Sequence, residues 1–84
     1  MLPLNQFSTC DVRALLQKGI EPFPTVRKAV DALPEGKGLL VLAPFLPSPL
    51  IEKLRSEGFE SKVERGSGSN WIVYFWKAPG TPSL

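Results

Sequence analysis

Histidine is absent from the chain, and cysteine occurs once, at Cys10. Without histidine, the chain has no Ser-His or Cys-His nucleophile pair, no histidine-containing zinc site and no axial histidine for haem. A single cysteine also excludes a disulfide within the chain. The composition therefore excludes the common hydrolase centres and the usual transition-metal sites, and we expect neither a metal nor a cofactor.

Blocks of like charge are also absent. Ten basic and eight acidic residues are spread along the sequence, and the net charge is +2. Nucleic-acid binding relies on clustered basic residues, often with aromatic residues between them, so we expect no nucleic-acid partner. One basic set does fall near the start of the first predicted helix, and it comprises Arg13, Lys18, Arg27 and Lys28. Solvated charges are the simpler interpretation of this set, and contact with an acidic protein or an RNA is the alternative.

The sequence has no long apolar run. No basic start is followed by an apolar stretch, and nothing approaches the ~20 apolar residues of a membrane span. We therefore expect a cytoplasmic protein that makes no membrane contact.

With 84 residues, 43% of them hydrophobic, the chain can bury one small core. We predict a single domain over residues 1–84, with its core at about residues 7–77 and a loose tail at residues 78–84.

Alternation and turn residues predict four strands. They cover residues 7–12, 39–43, 59–64 and 71–76. The second is continuously apolar and is expected to be central, whereas the third alternates with charged residues and is expected near an edge. Residues 65–70 are rich in glycine and serine. We predict a hairpin loop there rather than a phosphate-binding loop, because no helix follows it.

Two helices are predicted, each with proline near its start. The first runs from about residue 24 to 33, and the second is capped by Ser48 and ends near residue 57, before Gly58 as a left-handed stop. Residues 13–21 are predicted to be a connecting loop. The order strand, helix, strand, helix, strand, strand predicts an α/β (α+β) two-layer sandwich, with a four-stranded mixed sheet and both helices on one face.

The last predicted strand is apolar on both faces, although only one face can lie under the helices. Its two alternating sets are Trp71, Val73 and Phe75, and Ile72, Tyr74 and Trp76. One set must lie on the open face of the sheet, and monomeric proteins seldom expose a large apolar patch. Two interpretations stay open. Either residues 2–4 or the proline-rich tail cover this face, or a partner or a second copy does.

Two prolines frame the start of the first predicted helix, in residues 20–25, Ile-Glu-Pro-Phe-Pro-Thr. Together with residues 10–15, this stretch resembles the Cys-Pro-x-Pro signature of the TusA/SirA-like sulfur-transfer proteins, whose fold has the same βαβαββ order. That family carries sulfur as a persulfide on its cysteine, and here Glu21 takes the place of the cysteine. The resemblance covers roughly residues 10–76. It implies the fold, in an uncharacterised branch without the cysteine, and it removes the sulfur chemistry.

Glu21 has two interpretations. A carboxylate at a helix amino terminus is stabilised by the unpaired N–H groups and the helix dipole, so Glu21 can serve the helix alone. Alternatively, it is a recognition carboxylate on the surface that the resembling family uses, although the loop between Asp11 and Glu21 is longer here. The candidate interaction surface then comprises Arg13, Glu21, Pro22, Pro24, Arg27 and Lys28.

Cys10 is the only sulfur nucleophile, and we predict that it is a small buried apolar residue. The adjacent Asp11 discourages thiolate formation. No catalytic residue is therefore expected, and no enzymatic activity. The predicted function is a binding or adaptor module that contacts another protein through the first-helix entrance or the open sheet face, which is also the expected surface of a homodimer. The alternatives are a sulfur-relay protein that uses Cys10 and an RNA-associated module.

Overall fold

The computed structural model describes residues 3–77, which form one four-stranded sheet with helices packed against it. The strands are β1 at Phe7–Asp11, β2 at Gly38–Ala43, β3 at Phe59–Arg65 and β4 at Trp71–Lys77. The helices are α1 at Arg13–Gln17, α2 at Phe23–Asp31 and α3 at Ser48–Ser56, and a 3-10 turn at Leu4–Gln6 precedes β1. The predicted loose tail lies outside the described residues.

The strands lie in the order β1-β2-β4-β3, with β1 parallel to β2 and the other two pairs antiparallel. The predicted two-layer sandwich with a mixed sheet is confirmed. β2 is central, as its continuous apolar sequence predicts, and the charged β3 lies at one edge. β1 forms the other edge.

The core joins both longer helices to one face of the sheet. Members with no more than 1% of their surface exposed include Val26 of α2, Leu54 of α3, and the strand residues Leu39, Val41, Val73 and Phe75. Strand side chains alternate between the two faces, so Ile72, Tyr74 and Trp76 lie on the open face. The structure thus decides which of the two alternating sets of β4 side chains lies on the open face.

α1 is a correction, because residues 13–21 were expected to form a loop. Asp11 accepts a hydrogen bond from the backbone N–H of Arg13 at 3.0 Å, just before this helix. Leu15 and Leu16 pack against the core, and Gly19 follows with a φ of +73°. A helix of five residues is too short to be stable by propensity alone, so its stability comes from the burial of the two leucines.

The other helices differ from the prediction only at their ends. α2 spans Phe23–Asp31 rather than residues 24–33. α3 includes Ser48 as a helical residue, and its N-cap is Pro47, which makes no side-chain capping bond. Gly58 has a φ of +94° and is the expected left-handed stop.

Phe7 reaches across the open face over Gly38, its neighbour in the parallel register of β1 and β2. The Phe7 ring meets Tyr74 edge to face at 5.3 Å between centroids, and Trp76 at 6.4 Å. Tyr74 is 6% exposed and Trp76 is 8% exposed. The missing side chain of Gly38 therefore makes room for an aromatic cluster on the face opposite α2 and α3.

We expect Gly38→Ala to destabilise the protein by ~1–3 kcal/mol, because an extra methyl group overpacks this site. A Cβ on Gly38 lies 2.6 Å from Phe7 Cδ2 and 2.7 Å from the backbone oxygen of Phe75. Urea denaturation measures the effect. Gly66→Ala is the matched control, because a Cβ there meets nothing closer than 3.4 Å. Equal stability of the two variants would contradict the assigned role of Gly38.

Candidate functional site

One end of the sandwich collects the connections that follow the two parallel strands. Asp11 pairs with Leu42 in the β1–β2 register, so both strands finish at this end. α2 returns from it to the start of β2, and α3 starts from it after β2. Ala43 pairs with Trp71, which places the β3–β4 hairpin there as well. In open α/β sheets, ligands bind outside the carboxyl ends of the strands, so we call this region the carboxyl end.

Three exposed apolar side chains follow the strands at the carboxyl end. Ile20, ahead of α2, is 47% exposed. Phe45 and Leu46, between β2 and α3, are 51% and 40% exposed. We call these three residues the entrance patch. The other large exposed apolar residues of the described chain are Leu4, before β1 at the opposite end, and Val63 on β3.

Glu21 and the two prolines of the predicted interaction surface lie beside Ile20 of the entrance patch. Glu21 is exposed and directly precedes Pro22, the N-cap of α2. No side chain makes a capping hydrogen bond at this position, and the first turn of α2 contains no acidic residue. Glu21 and Pro24 are therefore both exposed, and Glu21 directly follows the exposed Ile20.

Arg13 is held by Asp11 at the end of β1. Its guanidinium donates from Nε to Oδ1 of Asp11 at 2.9 Å and from Nη2 to Oδ2 at 2.7 Å. With the backbone N–H of Arg13, these hydrogen bonds lower the pKa of Asp11 to about 2. The same side-chain bonds raise the pKa of Arg13. Arg13 is thus an ion-paired group at the carboxyl end rather than an unpaired cation.

Arg27 joins α2 to the end of α3. Its Nη1 and Nη2 atoms donate to the two carboxylate oxygens of Glu57, each at 2.6 Å. Asp31, one turn along α2, lies at 3.4 Å from Nη2. The bidentate bonds lower the pKa of Glu57 and raise that of Arg27. This contact could not be predicted from the sequence, because its partners are 30 residues apart and nothing in either helix alone indicates how the two are aligned.

The predicted basic set does not form an unpaired positive surface. Arg13 and Arg27 each have a carboxylate partner. Lys18 and Lys28 are exposed. Two of the four cations in this set are therefore neutralised by carboxylates, which leaves at most two for contact with RNA.

Cys10 belongs to the core cluster and is 8% exposed, which confirms the prediction of a buried residue. Burial, followed by the charge of Asp11, raises the pKa of its thiol. Within residues 3–77, no group of three or more acidic or cysteine side chains could hold a metal ion. Among the same residues, no helix is long and apolar enough to cross a membrane.

The open face of the sheet is covered more than its sequence indicates. Phe7 packs on Tyr74 and Trp76, as described above. The carboxylate of Glu64, together with burial, raises the pKa of Tyr74. Towards the β3 edge, the face carries the exposed charges of Glu60, Lys62 and Glu64. Its two largest aromatic side chains are therefore not available to a partner in this structure.

These features define a small α/β sandwich with an apolar, partly exposed carboxyl end and a buried thiol. The chain belongs to the family described as an uncharacterized conserved protein, DUF2249, whose model matches residues 9–77. That match extends from β1 to the end of β4. No curated protein and no solved structure matches the chain.

The Asp11–Arg13 pair predicts a contribution to stability that acid removes. The pKa of Asp11 is about 2 in the folded protein against an ordinary 3.8, so its stabilising effect is complete above the higher value and is lost as the pH falls through the lower one. We expect Asp11→Asn to reduce the fall in Tm on acidification. Thermal unfolding and an NMR titration of the Asp11 carboxyl carbon measure this.

Glu52→Gln, on an exposed position of α3, is the control for removal of a carboxylate. It should retain the acid-induced fall in Tm that depends on Asp11. An Asp11 carboxyl that titrates near its ordinary value would contradict the assignment.

Cys10 is expected to resist alkylation in the folded state. Because the thiol is buried and its pKa is raised, iodoacetamide should modify native Cys10 at least about tenfold more slowly than the unfolded chain. Intact mass spectrometry over time gives both rates. Equal rates would show an accessible thiol and would favour a sulfur-relay role.

Proposed function

We propose that the chain is a small, cytoplasmic, non-catalytic binding module with a TusA/SirA-like fold, and that it contacts another protein through the entrance patch. The observation that carries this proposal is the exposure of Ile20, Phe45 and Leu46 at the carboxyl end. Exposed apolar residues are ordinary when they are scattered. Here three of the five large ones among the described residues follow the two parallel strands at one end of the sheet.

The TusA/SirA-like part of the proposal is supported by topology and by one stretch of sequence. The four-stranded mixed sheet carries both longer helices on one face, in the order that the resembling family has. Glu21 precedes α2 where that family places its cysteine. The extra helix α1 occupies the longer connection between Asp11 and Glu21.

The entrance patch is a better candidate for a partner surface than the open sheet face, and the buried aromatic residues of that face also argue against the expected homodimer through it. On the open face, Tyr74 and Trp76 are buried, and Phe7 packs against both. At the carboxyl end, by contrast, Phe45 has half of its surface exposed. Burying the exposed half of such a side chain against a partner contributes roughly half of the ~1.5–3 kcal/mol that complete burial gives.

The chemistry of the described residues supports binding over the two alternatives. A sulfur-relay role requires an accessible thiol, whereas Cys10 is in the core. An RNA-associated role requires an unpaired positive surface, whereas Arg13 and Arg27 are bound to carboxylates. Next to the patch, the exposed Glu21 supplies a negative charge. The partner that fits is therefore a protein surface with an apolar centre and a basic residue at its rim.

Site-specific photo-cross-linking tests the proposal. A benzophenone amino acid in place of Phe45 should give a discrete protein adduct in cell lysate, and the adduct should fall at least about fivefold when Ile20→Ser is added. Leu4 is the matched control position, because it is 63% exposed but lies before β1 at the opposite end. The partner identified by mass spectrometry should then bind the purified wild-type chain more tightly than the purified Ile20→Ser variant.

Glu21→Gln separates the two interpretations of that carboxylate. If Glu21 recognises the partner, the variant should bind the partner more weakly and keep its Tm. If Glu21 serves the helix alone, the variant should have a lower Tm and unchanged binding. If Phe45 and Leu4 positions give the same adducts, or if Ile20→Ser leaves the Phe45 adduct unchanged, the entrance patch is not the binding surface.

A further inference from the structure

The two edges of the sheet differ in their protection against pairing with another strand. β3, at one edge, alternates charged residues along most of its length. β1, at the other edge, has the sequence Phe-Ser-Thr-Cys-Asp, without proline or lysine. Its one charge, on Asp11, is paired with Arg13. Natural proteins protect free edges with charges, prolines or bulges, so within residues 3–77 β1 is the edge that remains open to an added strand.

The backbone of β1 shows which groups face outward. The N–H of Val12 donates to the carbonyl of Leu42 at 3.0 Å. The direction of backbone hydrogen bonding alternates along a strand, so the N–H and C=O groups of Ser8 and Cys10 also point towards β2. Those of Phe7, Thr9 and Asp11 point towards the free edge. The N–H of Phe7 is bound to the carbonyl of Leu4 in the 3-10 turn.

Donors and acceptors therefore remain in matching positions along the free edge. The outward N–H donors are those of Thr9 and Asp11, and the matching acceptors are the carbonyls of Thr9 and Phe7. An antiparallel copy of the same strand presents the same groups in reverse order. The set is consequently complementary to itself about a twofold axis through Thr9.

We propose that β1 pairs with β1 of a second copy, antiparallel, with Thr9 opposite Thr9 of the second copy. Each Thr9 exchanges its N–H and carbonyl with the other, and each Asp11 N–H donates to the Phe7 carbonyl of the second copy. The pairing joins two four-stranded sheets into one continuous sheet.

The side chains agree with this register. Thr9 is exposed, and directly opposed threonines are a favourable cross-strand pair. On the other face, Ser8 lies opposite Cys10 of the second copy, so both side chains there are small. The charge of Asp11 stays with Arg13 of its own chain. Any extended strand offers such backbone donors and acceptors, so the choice of a second copy rests on the side chains that this register opposes, Thr9 with Thr9 and Ser8 with Cys10.

Sedimentation equilibrium of the full chain, from about 10 µM to about 1 mM, tests the inference, because an interface this small gives weak association. Thr9→Lys and Thr9→Glu should each weaken self-association at least about tenfold, since like charges then meet at the twofold axis. An equimolar mixture of the two variants should recover association, because opposite charges meet there. Val63→Lys, at an exposed position of the β3 edge, is the matched control and should associate like the wild type.

Recovery in the mixture cannot come from misfolded variants, so it separates pairing from a loss of structure. A wild-type chain that stays monomeric across the range overturns the inference. So do charge variants that associate like the wild type, or a mixture that does not recover. These outcomes are independent of the entrance patch, which lies outside β1.

Discussion

The pairing of β2 with β4 is the interaction on which the rest of the structure depends. Val41 lies opposite Val73 and Leu39 opposite Phe75, and all four side chains are essentially fully buried. α3, β3 and the hairpin separate these strands in the sequence, so the pairing forms only after a long loop has closed. Once it has formed, it supplies the apolar layer that α2 and α3 cover. α3 also contacts β3, which is itself paired with β4.

The parallel pairing of β1 with β2 determines where the residues of the entrance patch lie. β1 and β2 are parallel, so the connections that follow them must begin at the same end. The connection after β2 holds Phe45 and Leu46 between Pro44 and Pro47. Proline restricts its own backbone and that of the residue before it, which limits the ways in which this short loop can fold its apolar side chains back onto the core. The entrance patch is thus a consequence of topology and of loop stiffness together.

Much of the fold could be predicted from the sequence, because local patterns in β2, β3 and α3 agree with their tertiary positions. The continuous apolar run of β2 indicated a central strand, and the alternating charges of β3 indicated an edge. α1 could not be predicted because a helix of five residues shows no hydrophobic periodicity. Its two ends are marked only by the hydrogen bond from the Arg13 N–H to Asp11 and by the left-handed backbone of Gly19. Of the site, the buried Cys10 was predicted correctly.

The remaining features of the site could not be predicted, because each depends on the alignment of distant elements. The bidentate contact of Arg27 with Glu57 requires a specific alignment of α2 with α3. The cover of Tyr74 and Trp76 requires Phe7 to lean over Gly38, and that depends on the parallel register. Hydrophobic periodicity reports only which face of an element is buried. It carries no information about which side chain of another element meets it.

The two proposed surfaces are geometrically compatible. In the β1 pairing the two strands run antiparallel about Thr9, so their carboxyl ends point in opposite directions. The entrance patch follows the carboxyl ends of β1 and β2. A pair of chains would therefore present two patches at opposite ends of one continuous sheet, outside the paired residues 7–11. Such an assembly would bind two partners at once and would gain avidity only toward a partner that is itself multivalent. A monomeric partner binds each patch with the same intrinsic affinity whether or not the chains are paired.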